Sequence, residues 1–485
     1  MSDLSLLDLG FFITETAASP KHVAGLLIFA RPPRAGADFG RKLYETLGEH
    51  TDVKAPFNRL IRLSLTALPQ WVDAESVDLA QHLHFHRLPA GANGRQALFD
   101  FVAALHEPML DRRRPLWEVH LIDGLWDGHF ALYQKMHHAC ADGVTMMRWT
   151  AQGLNESAAD RRLQPIWAIG HGGRSRQREG GANRLLQGAM HQLRTHSRRA
   201  LGAGRLAAML MLETLTLTRH AIALPFVSTA RTPLTGQVTS GRQFSAAAVP
   251  MARVDALRLR TRSTVNHVAL TCLDGALRRF LSELGVEIKG PLTIQMPVNL
   301  RSEGEKSAGN KIGIIQVELS PPTDDPLVRL RNVGFSLRSV RTMIDSVAPE
   351  GIEAYTIVTG LLAQGAELLR LSDTLPPTGN TLVSNVPGPK QQLYLMGAPL
   401  EEIHPLSTLP PSNLLNITLI SYAGNLFFGL IATDRVPHLS TLADYVHDAF
   451  AELEQAVAGT AAAPAPRRPR ARQAKPARQA RADAR

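Results

Sequence analysis

The chain is 485 residues long, 44% hydrophobic and 20% charged, which suits a globular protein with more than one core. Its net charge of +10 is local: residues 171–220 carry nine Lys/Arg against two acids, and 461–485 carry eight against one. The remainder is slightly acidic, which excludes a broad nucleic-acid groove and favours local attraction to anionic surfaces. Only Cys140 and Cys272 are present, so no disulfide framework or zinc-ribbon spacing exists. Met1-Ser2-Asp3-Leu4 lacks a basic n-region, and the apolar stretch Leu206–Leu212 is far short of the ~20 residues that span a bilayer. A cytoplasmic protein is expected, with any membrane association peripheral.

In chain order, residues 4–16 read as a short helix, His22–Ala30 as a strand, Asp38–Gly48 as a helix and Phe57–Leu65 as a strand. A helix from Gly94 to His106 follows, then strands at Trp117–Asp123 and His129–Met136. In the second of these, Phe130, Leu132, Gln134 and Met136 share one face, with Ala131, Tyr133 and Lys135 on the other. Asp142-Gly143 opens a helix through about Leu154, with Asp142 suited to its N-cap. Arg184, His191, Arg198 and Arg205 recur every seven residues beside apolar positions. That segment reads as a basic amphipathic helix, either a solvated crossover or a lipid-surface contact.

The second half begins near Phe244. A helix starts at a Ser263/Thr264 cap and carries an apolar stripe from Ala269 to Leu281. Strands are expected at Leu292–Val298, Ile312–Leu319 and Thr381–Val386, with helices near 325–345, 351–371 and 440–457. Asn416–Tyr422 and Leu426–Thr433 form a hairpin about Gly424-Asn425. From Gly459 the composition shifts to Ala, Pro, Arg and Gln, which cannot bury a core. The expected division is 1–165 and 244–458 as two units, 166–243 as a linker, and 459–485 as a tail.

The chemistry concentrates at His137-His138-Ala139-Cys140-Ala141-Asp142-Gly143. A strand that delivers a histidine to a turn fixed by an acid and a glycine holds an imidazole at constant height. Such an imidazole, with a pKa near neutrality, takes a proton from a hydroxyl as its oxygen attacks a carbonyl. His138 is the expected base, and His137 is expected to face away and brace the turn. Adjacent strand residues point to opposite faces, so the two histidines are not expected to share a metal. Asp142 is expected to be structural, and Gly143 to permit close backbone approach. Cys140 occupies an unspecified position, and a nucleophilic role would need a helix dipole or a histidine beside it.

His-His-x-x-x-Asp-Gly resembles the signature of the coenzyme A-dependent acyltransferase superfamily. Asp111–Glu118, with its Pro115-Leu116-Trp117, and Ser5–Gly25, with Glu15-Thr16 and His22-Val23, look like blocks of the bacterial wax ester synthase/acyl-CoA:diacylglycerol acyltransferase family. Thr264-Val265-Asn266, Pro297–Arg301, Gly309-Asn310 and Ser384–Pro389 look like its C-terminal blocks, in the same order. The resemblance implies a mixed α/β fold of two chloramphenicol-acetyltransferase-like domains, with the active site in a channel at their interface. It implies acyl-CoA as co-substrate, no other cofactor, and diacylglycerol or a fatty alcohol as acceptor at a membrane or lipid-droplet surface. No covalent acyl-enzyme is implied. Arg301 is the implied partner of Asp142, Ser384 an implied hydroxyl donor to the oxyanion, and Asn266 either such a donor or a helix cap. One position departs from the pattern: Asn266-His267 stands where the family usually has Asn-Asp, which would change local charge at that helix start. Two other readings share these features, a condensation-type enzyme fed by a carrier-protein thioester and a lipid-binding protein without turnover.

Overall fold

The computed structural model describes residues 2–3, 6–62, 70–91, 93–170, 226, 229–300, 312–347 and 349–462. Arg301, Gly309-Asn310, the basic segment from Arg184 to Arg205 and the tail beyond residue 462 lie outside the described residues.

The first half runs β1 (Ser2–Asp3), α1 (Leu6–Ile13), β2 (His22–Phe29), α2 (Phe39–Gly48), β3 (Arg59–Arg62), β4 (Gln70–Asp73), β5 (Leu83–Arg87), α3 (Arg95–His106), β6 (Trp117–Asp123), β7 (Phe130–His137) and α4 (Gly143–Gln152). The second runs β8 (Arg242–Pro250), α5 (Met251–Thr261), α6 (Val265–Glu283), β9 (Thr293–Asn299), β10 (Ile312–Glu318), α7 (Pro326–Ser346), α8 (Pro349–Leu368), β11 (Thr381–Pro387), β12 (Tyr394–Leu395), β13 (Ala398–Leu406), β14 (Leu415–Tyr422), β15 (Asn425–Thr433) and α9 (Leu439–Ala462). The result is the expected mixed α/β architecture built on two six-stranded sheets. Their orders are β12-β13-β2-β7-β6-β5 and β10-β9-β11-β14-β15-β8, with β1-β4-β3 as a small third sheet.

The alternation read on β7 sorts its side chains into two cores. Ala131 and Tyr133 join the large core shared with the second half, while Phe130, Leu132 and Met136 join another. β7 is buried at every residue, as a central strand covered on both faces should be. Its whole length pairs antiparallel with β2, from His22 opposite His137 to Phe29 opposite Phe130. Each fully buried aliphatic side chain here contributes about 2 kcal/mol, so slipping this pair by one residue would exchange both faces at once.

The sheet composition departs from a simple division at residue 244. Residues 394–406, expected inside the second unit, form β12 and β13, and β13 pairs antiparallel with β2 of the first half. Pro399, Pro405 and the acidic pair Glu401-Glu402 hide this strand from a pattern search. Its outer neighbour β12 pairs only with Ala398 and Pro399, so β13 lies near the sheet edge, where proline is tolerated. β13 then crosses β15 so closely that a Cβ on Gly429 would collide with the Pro405 carbonyl. The hairpin of β14 and β15 turns at Ala423-Gly424, one residue earlier than expected. Both residues have positive φ, 42° and 83°, which gives the two-residue turn that matches strand twist.

Candidate active site

β7 ends at His137, and the chain turns there under backbone control. The His137 N–H donates to Leu116 O at 3.0 Å, the His138 N–H to Lys21 O at 2.7 Å, and the Cys140 N–H back to His137 O at 2.9 Å. Asp142 then caps α4, its Oδ1 accepting the Thr145 N–H at 2.8 Å, the role expected of it. Gly143 meets the other half of the molecule: a Cβ there would sit 3.3 Å from Cγ2 of Val386 on β11.

The His138 ring is 8% exposed and stacks on Phe11 of α1, with centroids 4.2 Å apart and planes 14° from parallel. Burial lowers its pKa below the ordinary histidine value; the Asp142 charge and a hydrogen bond to its own backbone act in the opposite direction. The ring is therefore neutral at pH 7, the state a general base requires. It faces a cavity of about 490 Å³ whose walls come from both sheets. Asp142, Gly143 and Ser384 line that cavity with it, among apolar residues such as Leu27, Ile314, Leu382 and Ile403. Size and lining are those of a site for a largely apolar ligand.

His137 is fully buried behind the turn. Its Nδ1 accepts the Ala139 N–H at 3.1 Å, which puts the ring proton on Nε2, 3.5 Å from Oε2 of Glu15. Glu15 also accepts the Lys21 N–H at 3.0 Å and the Arg112 guanidinium at 3.0 Å. Burial pushes the Glu15 carboxyl up; His137, the Lys21 amide and Arg112 overcome this and hold it down at about 2. One carboxylate thus holds the His137 ring and, through Lys21, the strand whose carbonyl fixes His138. Glu15 stood in a quoted sequence block, yet no spacing rule connects it to His137, since α1 and the loop before β2 bring them together. Phe11 escaped for the same reason.

The oxyanion candidates are placed less directly. The Ser384 hydroxyl donates to Thr418 Oγ1 at 2.9 Å, so it serves an oxyanion only by turning from that partner. Asn266 does not cap α6; Thr264 does, accepting the His267 N–H at 3.2 Å. Instead the Asn266 Oδ1 accepts from the side chain of Asn385, which lines the cavity. His267 is turned away: its Nε2 donates to Leu330 O of α7 at 2.6 Å, and its ring lies against Gly334, where a Cβ would collide. Burial lowers its pKa, so the ring is neutral at pH 7, and it is directed at α7. Cys140 is half-buried against apolar groups, and desolvation pushes its thiol far above the range of a thiolate nucleophile.

Residues 4–269 match the family model for the wax ester synthase/diacylglycerol acyltransferase catalytic domain, and residues 308–454 that for the WS/DGAT C-terminal domain. The chain belongs to the wax ester synthase/diacylglycerol acyltransferase family. Like its relatives it is an acyltransferase. A probable diacylglycerol O-acyltransferase, tgs2, of Mycobacterium tuberculosis is 31% identical over 451 residues, covering 92% of this chain and 97% of the relative. The wax ester synthase/diacylglycerol acyltransferase of Marinobacter aquaeolei VT8 shares 30% identity at a TM-score of 0.73, covering 94% of this chain and all of that one. The first condensation domain of the calcium-dependent antibiotic synthetase superposes at a TM-score of 0.59 over 95% of this chain and 97% of that one. At 15% identity that likeness is one of fold.

Proposed function

We propose that this member of the wax ester synthase/diacylglycerol acyltransferase family moves a long-chain acyl group from acyl-CoA to diacylglycerol or a long-chain alcohol. His138 acts as general base. The acceptor oxygen attacks the thioester carbonyl carbon while its proton passes to the imidazole. The tetrahedral intermediate then expels coenzyme A, whose sulfur takes that proton. The observation that carries this reading is a neutral imidazole, fixed by a turn and a stacked ring, at the wall of a largely apolar cavity. Nδ1 of His138 is enclosed by protein, so the proton is taken at Nε2. Direct attack without an acyl-enzyme is supported by the Cys140 thiol, whose pKa desolvation raises, and by the Ser384 hydroxyl, bonded to Thr418. Diacylglycerol, fatty alcohol and ester product are water-insoluble, so the same reading puts the protein at a lipid surface.

The test is an acceptor screen with labelled acyl-CoA, hexadecanol and diacylglycerol. A labelled neutral lipid with either acceptor is expected, and His138→Ala should lower its rate by about 10²–10⁴-fold with the fold intact. Retained activity in that variant would reject His138 as base. The second reading keeps the same chemistry with a carrier-protein thioester as donor. Turnover with an acylated carrier protein and none with acyl-CoA would select it.

A further inference from the structure

Large apolar side chains exposed to solvent concentrate on one helix. Val358, Leu361, Leu362 and Leu368 of α8 are each more than half exposed, and Leu369 just beyond is 72% exposed. Their spacing puts them on one side of the helix. From Ala354 to Ala366 the stretch carries no charge. Scattered exposed aliphatics need no explanation, but a contiguous group on one helix face marks a docking surface.

The same helix walls the cavity. Ile357, Gly360 and Gln364 line it, and Leu361 does so while remaining 53% exposed. Ile13, at the end of α1 beside α8, lines the cavity and is 67% exposed. Leu361 and Ile13 therefore have one side in the cavity and the other at the surface, as the rim of an opening does. Beyond the patch, exposed Arg370 lies between Leu369 and Leu371, while the nearby carboxylate of Asp373 is neutralised by Arg435 at 3.2 Å. That margin carries a positive sign, with the cation beside aliphatic groups as at a lipid interface.

We propose that this face of α8, with Ile13, seats on a phospholipid bilayer, the helix lying in the interfacial plane and the cavity mouth opening into lipid. The occupant follows from continuity: an apolar rim in contact with lipid lets a water-insoluble acceptor reach His138 without crossing water, whereas a second protein copy seated there would close the mouth. The choice of lipid as occupant rests on the proposed acyl transfer, whereas the exposed apolar face of α8 is observed independently of it.

The test is flotation of the full chain with vesicles of phosphatidylcholine and phosphatidylglycerol at about 1 M salt, where attraction by the basic segments is screened within about 3 Å. The comparison is L362S/L368S/L369S, whose three positions are exposed and do not line the cavity. The native chain should float, and the variant's partition coefficient should be at least about a hundredfold lower. Transfer from acyl-CoA to a short water-soluble alcohol should be unchanged, while transfer to diacylglycerol in vesicles falls with partitioning. Equal flotation of both proteins, or no flotation of the native chain, overturns the proposal. So does a native dimer that the variant dissociates in sedimentation velocity without any change in vesicle binding. Flotation needs no turnover, so an inactive protein that still binds through α8 would refute the proposed function and leave the docking surface standing.

Discussion

Glu15→Gln separates support of the catalytic turn from support of the fold. The Glu15 side chain is 1% exposed, and its carboxyl is held at about 2 against an ordinary value of 4.5. That difference corresponds to about 3 kcal/mol of folding stability at neutral pH. Because the folded-state value is depressed, the contribution is complete above pH 4.5 and is lost as pH falls through about 2. Glutamine keeps the shape and the acceptor for the Lys21 N–H. It also places an NH₂ or an uncharged oxygen where Arg112 and Nε2 of His137 both require a carboxylate. Urea unfolding at pH 7 should show a loss of about 2–4 kcal/mol, and the variant should lack the native acid slope between pH 4.5 and 2. If the carboxylate also positions His138, kcat should fall by about 10–100-fold with KM for acyl-CoA unchanged, since a small displacement of a reacting group costs that much. A double variant with His137→Gln should lose less than the sum of the two single changes, because both break the Glu15–His137 contact. Native kcat in a destabilised Glu15→Gln protein would refute the positioning argument.

With the neutral form of His138 as the proposed base, and with burial lowering its pKa, kcat/KM should rise with pH to a plateau with its midpoint below 6.5. A midpoint above 6.5 in the pH–rate profile would contradict the buried, neutral ring. His267→Asp, which restores the usual family residue, should leave kcat within about twofold because the side chain faces α7. The same change deprives Leu330 O of its donor and should cost about 1–2 kcal/mol in urea unfolding. A large gain in kcat would instead tie that position to the cavity.

Much of this was legible in the chain because local rules governed it. The alternation of β7, the Asp142 cap and the Thr264 cap each depend on residues within a few positions, and the structure keeps all three. What sequence reading missed depended on distant partners. β13 carries two prolines and two acids and is a strand only because β2 offers it an edge. Asn266 looked like a cap or an oxyanion donor; Thr264 takes the cap, and the Asn266 oxygen accepts from Asn385, more than a hundred residues further on. His267 departed from the family pattern, and its ring bonds to Leu330 O of α7, more than sixty residues further on. Glu15 sits in a loop held by side-chain bonds, where periodicity is silent.

The pairing of β13 with β2 also orders events during synthesis. Leu400 pairs with Phe29 and Leu406 with Ala24, so one edge of β2 stays open until most of the chain has left the ribosome. An open edge of that length invites pairing with other chains, and domain-by-domain folding cannot close it early. A polypeptide ending before residue 394 should therefore not yield a finished first sheet, however complete its own core residues are. Co-expressed with residues 394–485, it should recover solubility only as β13 docks.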